Sequence, residues 1–141
     1  QEFEKEELFY LLMEQLLSEY AVFEQKKVQV PDTERLNAVC SYMKEHYSEN
    51  VSLEQLCKIA GVSRYSLIRY FTKYKKITPY QYLESIRVNR AKLYLEQGTE
   101  PAEAAAMTGF SDQSHFTNFF KRLFGLTPAQ YQRIFTDKKG Y

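Results

Sequence analysis

Apolar residues recur at three- and four-residue steps along most of the chain, which is typical of amphipathic helices rather than strands. In the first thirty residues they form one stripe with Glu on the other positions, which predicts a helix over residues 4–26; the stripe is Leu8, Phe9, Leu12, Leu16, Tyr20 and Phe23. A second helix is predicted to begin near Asp32 or Thr33, both suitable N-caps, with the same spacing at Leu36, Val39, Cys40, Met43 and Tyr47. No strand pattern of comparable length is present, so we expect an all-α fold.

The rest of the chain contains an internal repeat, residues 53–82 and 101–131. Gly61 and Ser63 align with Gly109 and Ser111 at an offset of 48 residues. At an offset of 49, the segment from Phe71 to Tyr82 aligns with Phe120 to Tyr131, so one residue is inserted just after Ser111. Each copy predicts a short helix, a tight turn and a second helix, which is the order of a helix-turn-helix.

Helix-start signals occur at the same places in both copies. Each copy ends in Thr-Pro-x-Gln, at Thr78 and at Thr127, which combines an N-cap, a Pro at the first helical position and a Gln that completes a capping box. Ser52 and Gln55 form another box at the start of the first copy. The pairs Cys57–Gly61 and Ala105–Gly109 supply a small side chain and a Gly for the turn between two steeply crossing helices.

The pattern divides each second helix into two faces. The buried sides are predicted at Leu67, Phe71 and Tyr74, and at Phe116, Phe120 and Leu123. The opposite faces are expected to be free. We therefore predict helix-turn-helix 1 at 53–74, helix-turn-helix 2 at 101–124 and a linker helix over 79–97, which ends at Gly98. A linker of that length spans about 28 Å, close to the ~34 Å between successive major grooves on one face of B-DNA.

The free faces carry side chains suited to DNA bases. The first base-contact set is Arg64, Tyr65, Ile68 and Arg69, and the second is Gln113, Ser114, Thr117 and Asn118. Arg can pair with guanine, Gln and Asn with adenine, and Ile can pack on a thymine methyl. Phosphate contacts are expected from Ser63, Lys73, Lys75, Lys76, Lys121 and Arg122. From 63 to 76 there are five basic residues and no acidic one. A basic face alone is usually just solvated, but its position after a Gly turn and the repetition of that arrangement 48–49 residues later favour a DNA contact.

The net charge of +1 hides two unlike parts. Residues 1–30 carry −4 and residues 31–141 carry +5, with Pro31 at the boundary. We therefore predict an N-terminal amphipathic helix in 1–30 and a basic DNA-binding domain in 31–141. The apolar stripe of the N-terminal helix is expected to pack against another protein surface. Either the helix packs against the basic domain, or it is the end of an upstream sensor or dimerisation domain.

Residues ~33–135 resemble the DNA-binding domain of the AraC/XylS family of bacterial transcription regulators. The resemblance depends on the duplicated helix-turn-helix and most of all on GFSDQSHFTNFFKRLFGLTPAQYQR (109–133). It implies seven helices in two subdomains joined by the long helix, with recognition helices in adjacent major grooves of promoter DNA. It also implies base contacts from both base-contact sets, and activation or repression of transcription through RNA polymerase. A second copy of the chain is a further expected partner, in a homodimer formed through the N-terminal helix or an absent sensor domain.

Other function classes have weaker support in the sequence. Ser41 and Lys44 match an S-x-x-K motif without its companion motifs, and His46 and His115 are far apart. Cys40 and Cys57 are both expected to be buried, so we predict no catalytic residue, no metal site and no cofactor. A helical protein-interaction module that has lost DNA binding is the alternative.

Location follows from composition. No apolar run approaches the length of a membrane span, and two lone thiols favour a reducing cytoplasm. The first residues lack an initiator Met and the layout of a secretory signal, so we expect a part of a longer chain.

Overall fold

The computed structural model describes residues 1–20 and 30–137, with side chains omitted at 17–20. These residues form eight helices and no strand, which confirms the all-α prediction. In chain order the helices are α1 Glu2–Tyr20, α2 Thr33–His46, α3 Leu53–Ala60, α4 Arg64–Lys75, α5 Pro79–Glu96, α6 Pro101–Met107, α7 Gln113–Phe124 and α8 Pro128–Thr136. None of these helices is long and apolar enough to cross a membrane. The end of the predicted 4–26 helix, including Phe23, lies outside the described residues.

Local capping fixes where the helices begin, as the sequence predicts. Ser52 and Gln55 exchange side-chain-to-backbone hydrogen bonds of 2.9 and 3.2 Å, and Thr78 and Gln81 do the same at 3.0 and 3.2 Å. The box at Thr127 is also formed. In α2 the carboxylate of Asp32 accepts from the backbone N–H of Arg35 at 2.8 Å. These bonds satisfy N–H groups that have no partner inside the helix.

The helices divide into two compact units. The first contains the described residues of Gln1–His46 and Val51–Leu83, and the second those of Tyr47–Asn50 and Glu84–Tyr141. The core of the first unit is formed by apolar side chains of α2, α3, α4 and the start of α5, which include Leu36, Val39, Met43, Leu53, Leu56, Leu67, Phe71 and Leu83. The core of the second unit is Val88, Ala91, Leu95, Ala104, Ala105, Phe110, Phe116 and Phe120.

Polar side chains complete the second unit. Arg87 is only 2% exposed, and its guanidinium donates to the carbonyl of Tyr47 at 2.7 Å and to that of Glu49 at 3.0 Å. Gln132 of α8 donates to the carbonyl of Leu95 at 3.1 Å and so ties α8 to the end of α5. A buried charge is tolerated only when its donors are satisfied, and here the acceptors are backbone carbonyls.

Some burial predictions are wrong. Tyr74 and Leu123, expected on the buried sides of their helices, are 40% and 53% exposed. Tyr74 instead donates from its hydroxyl to the side-chain oxygen of Asn37 at 3.0 Å. Cys57 is only partly buried, whereas Cys40 is buried as expected.

The N-terminal helix packs on the first unit, but not through its predicted apolar stripe. Phe3 is 2% exposed and its ring lies 5.4 Å from that of Tyr80, while the carboxylate of Glu7 accepts from the backbone N–H of Tyr80 at 2.8 Å. The stripe residues whose side chains are described stay between 51% and 60% exposed: Leu8, Phe9, Leu12 and Leu16. The docking face is therefore selected by two specific anchors and not by the average apolarity of the helix.

Candidate nucleic-acid interface

Each of the two helix-turn-helix motifs is built around a glycine with positive φ. Gly61 ends α3 at φ 69° and donates its N–H to the carbonyl of Cys57 at 2.8 Å. Gly109 has φ 92°, and the following residue, Phe110, donates to the carbonyl of Ala105 at 3.0 Å. Only glycine adopts this conformation without strain. The turn therefore depends on the residue type that the repeat places there.

The residue inserted in the second copy is the N-cap of the second helix of that copy. In the first copy Ser63 caps α4 and accepts from the N–H of Ser66 at 3.2 Å. In the second copy Asp112, not the aligned Ser111, accepts from the N–H groups of Ser114 and His115 at 2.8 and 3.4 Å. The insertion thus moves the start of α7 by one residue, which explains the change of offset from 48 to 49.

The second base-contact set lies together on α7 near its N-terminus. Gln113, Ser114 and Asn118 are exposed, and Thr117 is half-buried. Positions separated by one, four and five residues share one helix surface. Lys121 and Arg122 follow on the last turn and are exposed, with the guanidinium of Arg122 5.5 Å from the ring centre of Phe119. This surface offers amide and hydroxyl groups beside two cations.

Contacts with α5 and the unit-2 core hold α7 in place. Phe116 and Phe120 are fully buried, and Nε2 of His115 lies 2.7 Å from Oε1 of the buried Glu84. Phe119 and Phe124 pack against the same core while only partly buried. The base-contact set therefore lies on a helix whose opposite side is fixed.

The first base-contact set has a different environment. Tyr65 is half-buried and Arg69 exposed, and Nη1 of Arg69 donates to the Tyr65 hydroxyl at 3.1 Å. This hydrogen bond is the main cause that raises the pKa of Arg69, with a smaller contribution from the charge of Glu14. Tyr65 and Arg69 therefore form a pre-positioned pair on the exposed side of α4.

Ile68 is buried and Arg64 is paired with α1, so the prediction that the whole outward side of α4 is free is wrong. Nε of Arg64 lies 3.3 Å from the Glu6 carboxylate on α1, a hydrogen bond that raises the pKa of Arg64. Ile68 is 2% exposed, and it lines a cleft together with Leu11 and Glu14 of α1. The physical reason is the docking of α1 along α4.

The predicted phosphate contacts are spread along the exposed parts of both helices. Ser63, Lys73 and Lys76 are exposed on or beside α4. Lys75 is half-buried, with its Nζ 5.2 Å from the ring centre of Tyr74 and 5.8 Å from that of Tyr82. The Lys75 ammonium must lose its favourable contacts with these aromatic rings before it can contact a phosphate.

The structure also places the residues that the sequence suggested for other chemistry. Burial raises the pKa of the Cys57 thiol to about 11, which keeps it protonated near neutral pH. Ser41 and Lys44 lie exposed on α2. Within residues 1–20 and 30–137, no group of three or more His, Cys, Asp or Glu side chains is placed to hold a metal ion.

Sequence reasoning missed the acidic residues of α1 that face α4. Glu6 and Glu14 were assigned to the face opposite the apolar stripe, because periodicity predicts burial from apolarity alone. A signal was present: Glu6 and Glu14 are two turns apart on α1, and Arg64 and Lys73 are a comparable distance apart on α4. The partners are 58 residues apart in the chain, so local spacing could not pair them.

Comparison with known proteins gives consistent matches. A family model described as "Helix-turn-helix domain" matches residues 56–134. The HTH-type transcriptional regulator YbfI of Bacillus subtilis (strain 168) is 52% identical over 112 residues, which is 79% of this chain and 40% of that protein. The chain thus spans less than half the length of that relative.

Solved structures share the arrangement of helices. The DNA-binding domain of the global transcriptional factor AdpA, in complex with a target DNA, matches with a TM-score of 0.68 at 28% identity; the match covers 78% of this chain and 96% of that one. A probable AraC family transcriptional regulator from Rhodopseudomonas palustris CGA009 matches with a TM-score of 0.68 at 22% identity, over 73% of this chain and 98% of that one. At that identity the second match shows the fold alone.

Proposed function

Because the chain belongs to the AraC/XylS family of helix-turn-helix DNA-binding transcription regulators, we propose that it binds double-stranded DNA sequence-specifically through α4 and α7. Each recognition helix enters one of two successive major grooves, and binding regulates transcription. The observation that carries this proposal is the second base-contact set, which exposes Gln113, Ser114 and Asn118 on one surface of α7. These side chains can contact base edges directly.

The two recognition helices differ in the bases that they suit. On α7, Gln113 and Asn118 match the donor and acceptor pair of adenine, with Ser114 and Thr117 as adaptable neighbours. On α4, Arg69 matches guanine O6 and N7 while its hydrogen bond to Tyr65 fixes its direction. Arg64 and Ile68 complete the first set. The expected binding site is therefore asymmetric, with two unlike half-sites.

Phosphate contacts supply the remaining affinity. We assign them to Ser63, Lys73, Lys75, Lys76, Lys121 and Arg122. If about six phosphates are neutralised, the log of the binding constant falls with the log of salt concentration with a slope near −5. The linker helix α5, which joins the two helix-turn-helix motifs in the sequence, has 18 residues and extends about 27 Å.

A pair of substitutions tests whether base contacts and phosphate contacts are assigned correctly. Arg69→Ala is expected to cost about 1–3 kcal/mol of binding free energy and to relax specificity in one half-site only. Lys121→Ala is expected to weaken all sequences alike and to reduce the salt slope by about 1. Titration of each variant with a duplex selected from a random pool, and with half-site mutants of it, measures both effects. An equal effect of Arg69→Ala on all duplexes would remove it from the base contacts.

The alternative is a helical protein-interaction module that keeps the fold without DNA binding. Its distinguishing outcome is salt-insensitive or absent binding to every duplex of a random pool. The exposed cations on α4 and α7 favour the DNA proposal, since such a module needs no basic residues at these positions. We further propose that the chain is not an enzyme and acts in the cytoplasm; the protonated Cys57 thiol and the two unpaired cysteines support this.

We also propose protein partners. Residues 1–30 would belong to an upstream sensor or dimerisation region and residues 31–141 to the DNA-binding domain. We propose contact with RNA polymerase from the family alone.

The exposed stripe of Leu8, Phe9, Leu12 and Leu16 supports a homodimer through α1, because two copies can cover the same apolar face reciprocally. Sedimentation equilibrium should show a dimer that Leu12→Glu dissociates. A chain that is monomeric at ~100 μM would contradict this contact.

A further inference from the structure

The N-terminal helix lies along the recognition helix of the first helix-turn-helix. Glu6 contacts Arg64 near the start of α4, and further along both helices Leu11 and Glu14 line a cleft with Ile68 and Arg69. Residue numbers rise together on the two helices, so α1 and α4 run side by side in the same direction. The residues of α4 that α1 contacts include three members of the first base-contact set.

Size alone makes this arrangement incompatible with a groove complex. The major groove is about 12 Å wide and accommodates one helix of about 10–12 Å diameter. Two packed helices have axes about 8–10 Å apart, so a side-by-side pair is much wider than the groove. With α1 in place, Ile68 is 2% exposed and cannot reach a base.

Charge acts in the same direction as size. The Glu6 carboxylate accepts a hydrogen bond from Nε of Arg64, and the negative charge of Glu14 acts on Arg69. Two carboxylates therefore face cations that the DNA-bound state would direct to bases or phosphates. An acidic helix on this face competes with DNA for the same groups, and DNA phosphates would repel it.

Two of the contacts that hold α1 lie away from the groups that would contact DNA. Its anchors are Phe3 against Tyr80 and the Glu7 carboxylate on the backbone N–H of Tyr80, and they lie at the start of α5. Thr72, which lines the cleft, has a buried hydroxyl oxygen with no hydrogen-bond partner among the described residues. Departure of α1 would let that hydroxyl bind water.

We propose that α1 is an intramolecular cover of the first recognition helix, so that α1 must leave α4 before α4 can enter a major groove. This inference depends on the proposed function. In the covered state α7 still exposes Gln113, Ser114 and Asn118, so the covered chain can contact one half-site but not both. The apparent DNA affinity is the affinity of the open chain multiplied by the fraction of chains in which α4 is open. Anything that holds or releases α1 regulates that fraction.

A matched pair of substitutions in the full chain tests the cover without changing charge. Phe3→Ala removes the buried anchor, whereas Met13→Ala truncates an apolar side chain that is 37% exposed on the same helix. Both variants are titrated with a 30-base-pair duplex selected from a random pool with the wild-type chain. We expect Phe3→Ala to bind at least ~10-fold more tightly than the wild type and Met13→Ala to bind within about twofold of it.

Hydrogen exchange on the same samples reports the position of α1 directly. Adding the duplex to the wild-type chain should increase exchange of the α1 amides while the α4 amides become more protected. Phe3→Ala should show fast α1 exchange without DNA and unchanged protection in α2 and α3, which verifies that the unit remains folded.

The outcomes separate the two proposals. If all three chains bind the duplex equally and α1 stays protected in the complex, the cover is wrong and the proposed DNA binding survives. If none of the three chains binds any duplex, the proposed function fails, and the cover with it. Tighter binding by Phe3→Ala alone would be the strongest support for the cover.

Discussion

At the scale of single residues, Arg87 shows how one buried charge can organise the loop before α3. Its guanidinium donates to the carbonyls of Tyr47 and Glu49, 40 and 38 residues earlier in the chain. We expect Arg87→Ala to lower the free energy of unfolding by about 2–4 kcal/mol, because those carbonyls lose charge-assisted hydrogen bonds. The control is Arg90→Ala, an exposed residue whose guanidinium lies 5.6 Å from the ring centre of Tyr47 and which should cost less than about 1 kcal/mol. Urea unfolding followed by circular dichroism measures both; equal losses would contradict this role.

Single residues also mark the limit of what the sequence predicts. Capping residues such as Ser52 and Thr127 act on N–H groups three positions away, so their role is visible in the sequence. The burial of Ile68, in contrast, is not visible in the sequence. Nothing near it in the chain shows that Leu11 and Glu14 lie in the same cleft. The burial of Arg87 was also missed, because a charged residue in a helix is normally expected on the surface.

At the scale of elements, the turn of the second helix-turn-helix has almost no free space. A Cβ added at Gly109 would lie 2.7 Å from the carbonyl oxygen of Tyr47 and 2.8 Å from Nε of Arg87, at φ +92°. Gly109→Ala should therefore cost more than the ~1–2 kcal/mol of left-handed backbone strain alone. Gly125→Ala, with φ +80° and no atom within 4 Å of the added Cβ, should cost only that strain. Thermal unfolding of the two variants measures the difference, and equal destabilisation would show that the close approach is unimportant.

Whole helices were predicted well and their packing only in part. The repeat and its caps predict a linker helix over 79–97, and the structure has α5 at Pro79–Glu96, because helix length depends on local hydrogen bonds. Which face a helix buries depends on the partner that reaches it. For α1 the apolar stripe indicated one face, yet Phe3 and Glu7 dock another, since Tyr80 offers a ring and an N–H group at the start of α5.

At the scale of the whole molecule, a net charge of +1 is compatible with a DNA-binding chain because the charges are separated in sequence and partly paired in space. The −4 of residues 1–30 includes Glu6 and Glu14, which act on cations of α4. The negative charge is thus part of the control of DNA binding that we propose. High salt weakens both the attraction of the chain to DNA and the attraction between α1 and α4. The salt dependence of DNA binding should therefore contain both contributions.

We propose that one chain contacts two successive major grooves through two unlike recognition helices. Selection of bound duplexes from a random pool, followed by sequencing, tests this arrangement. We expect an asymmetric motif with two conserved segments whose centres are about 10–10.5 base pairs apart, and Asn118→Ala should erase the preference in one segment only. A single conserved segment, or two identical segments in a palindrome, would exclude two unlike recognition helices in successive grooves.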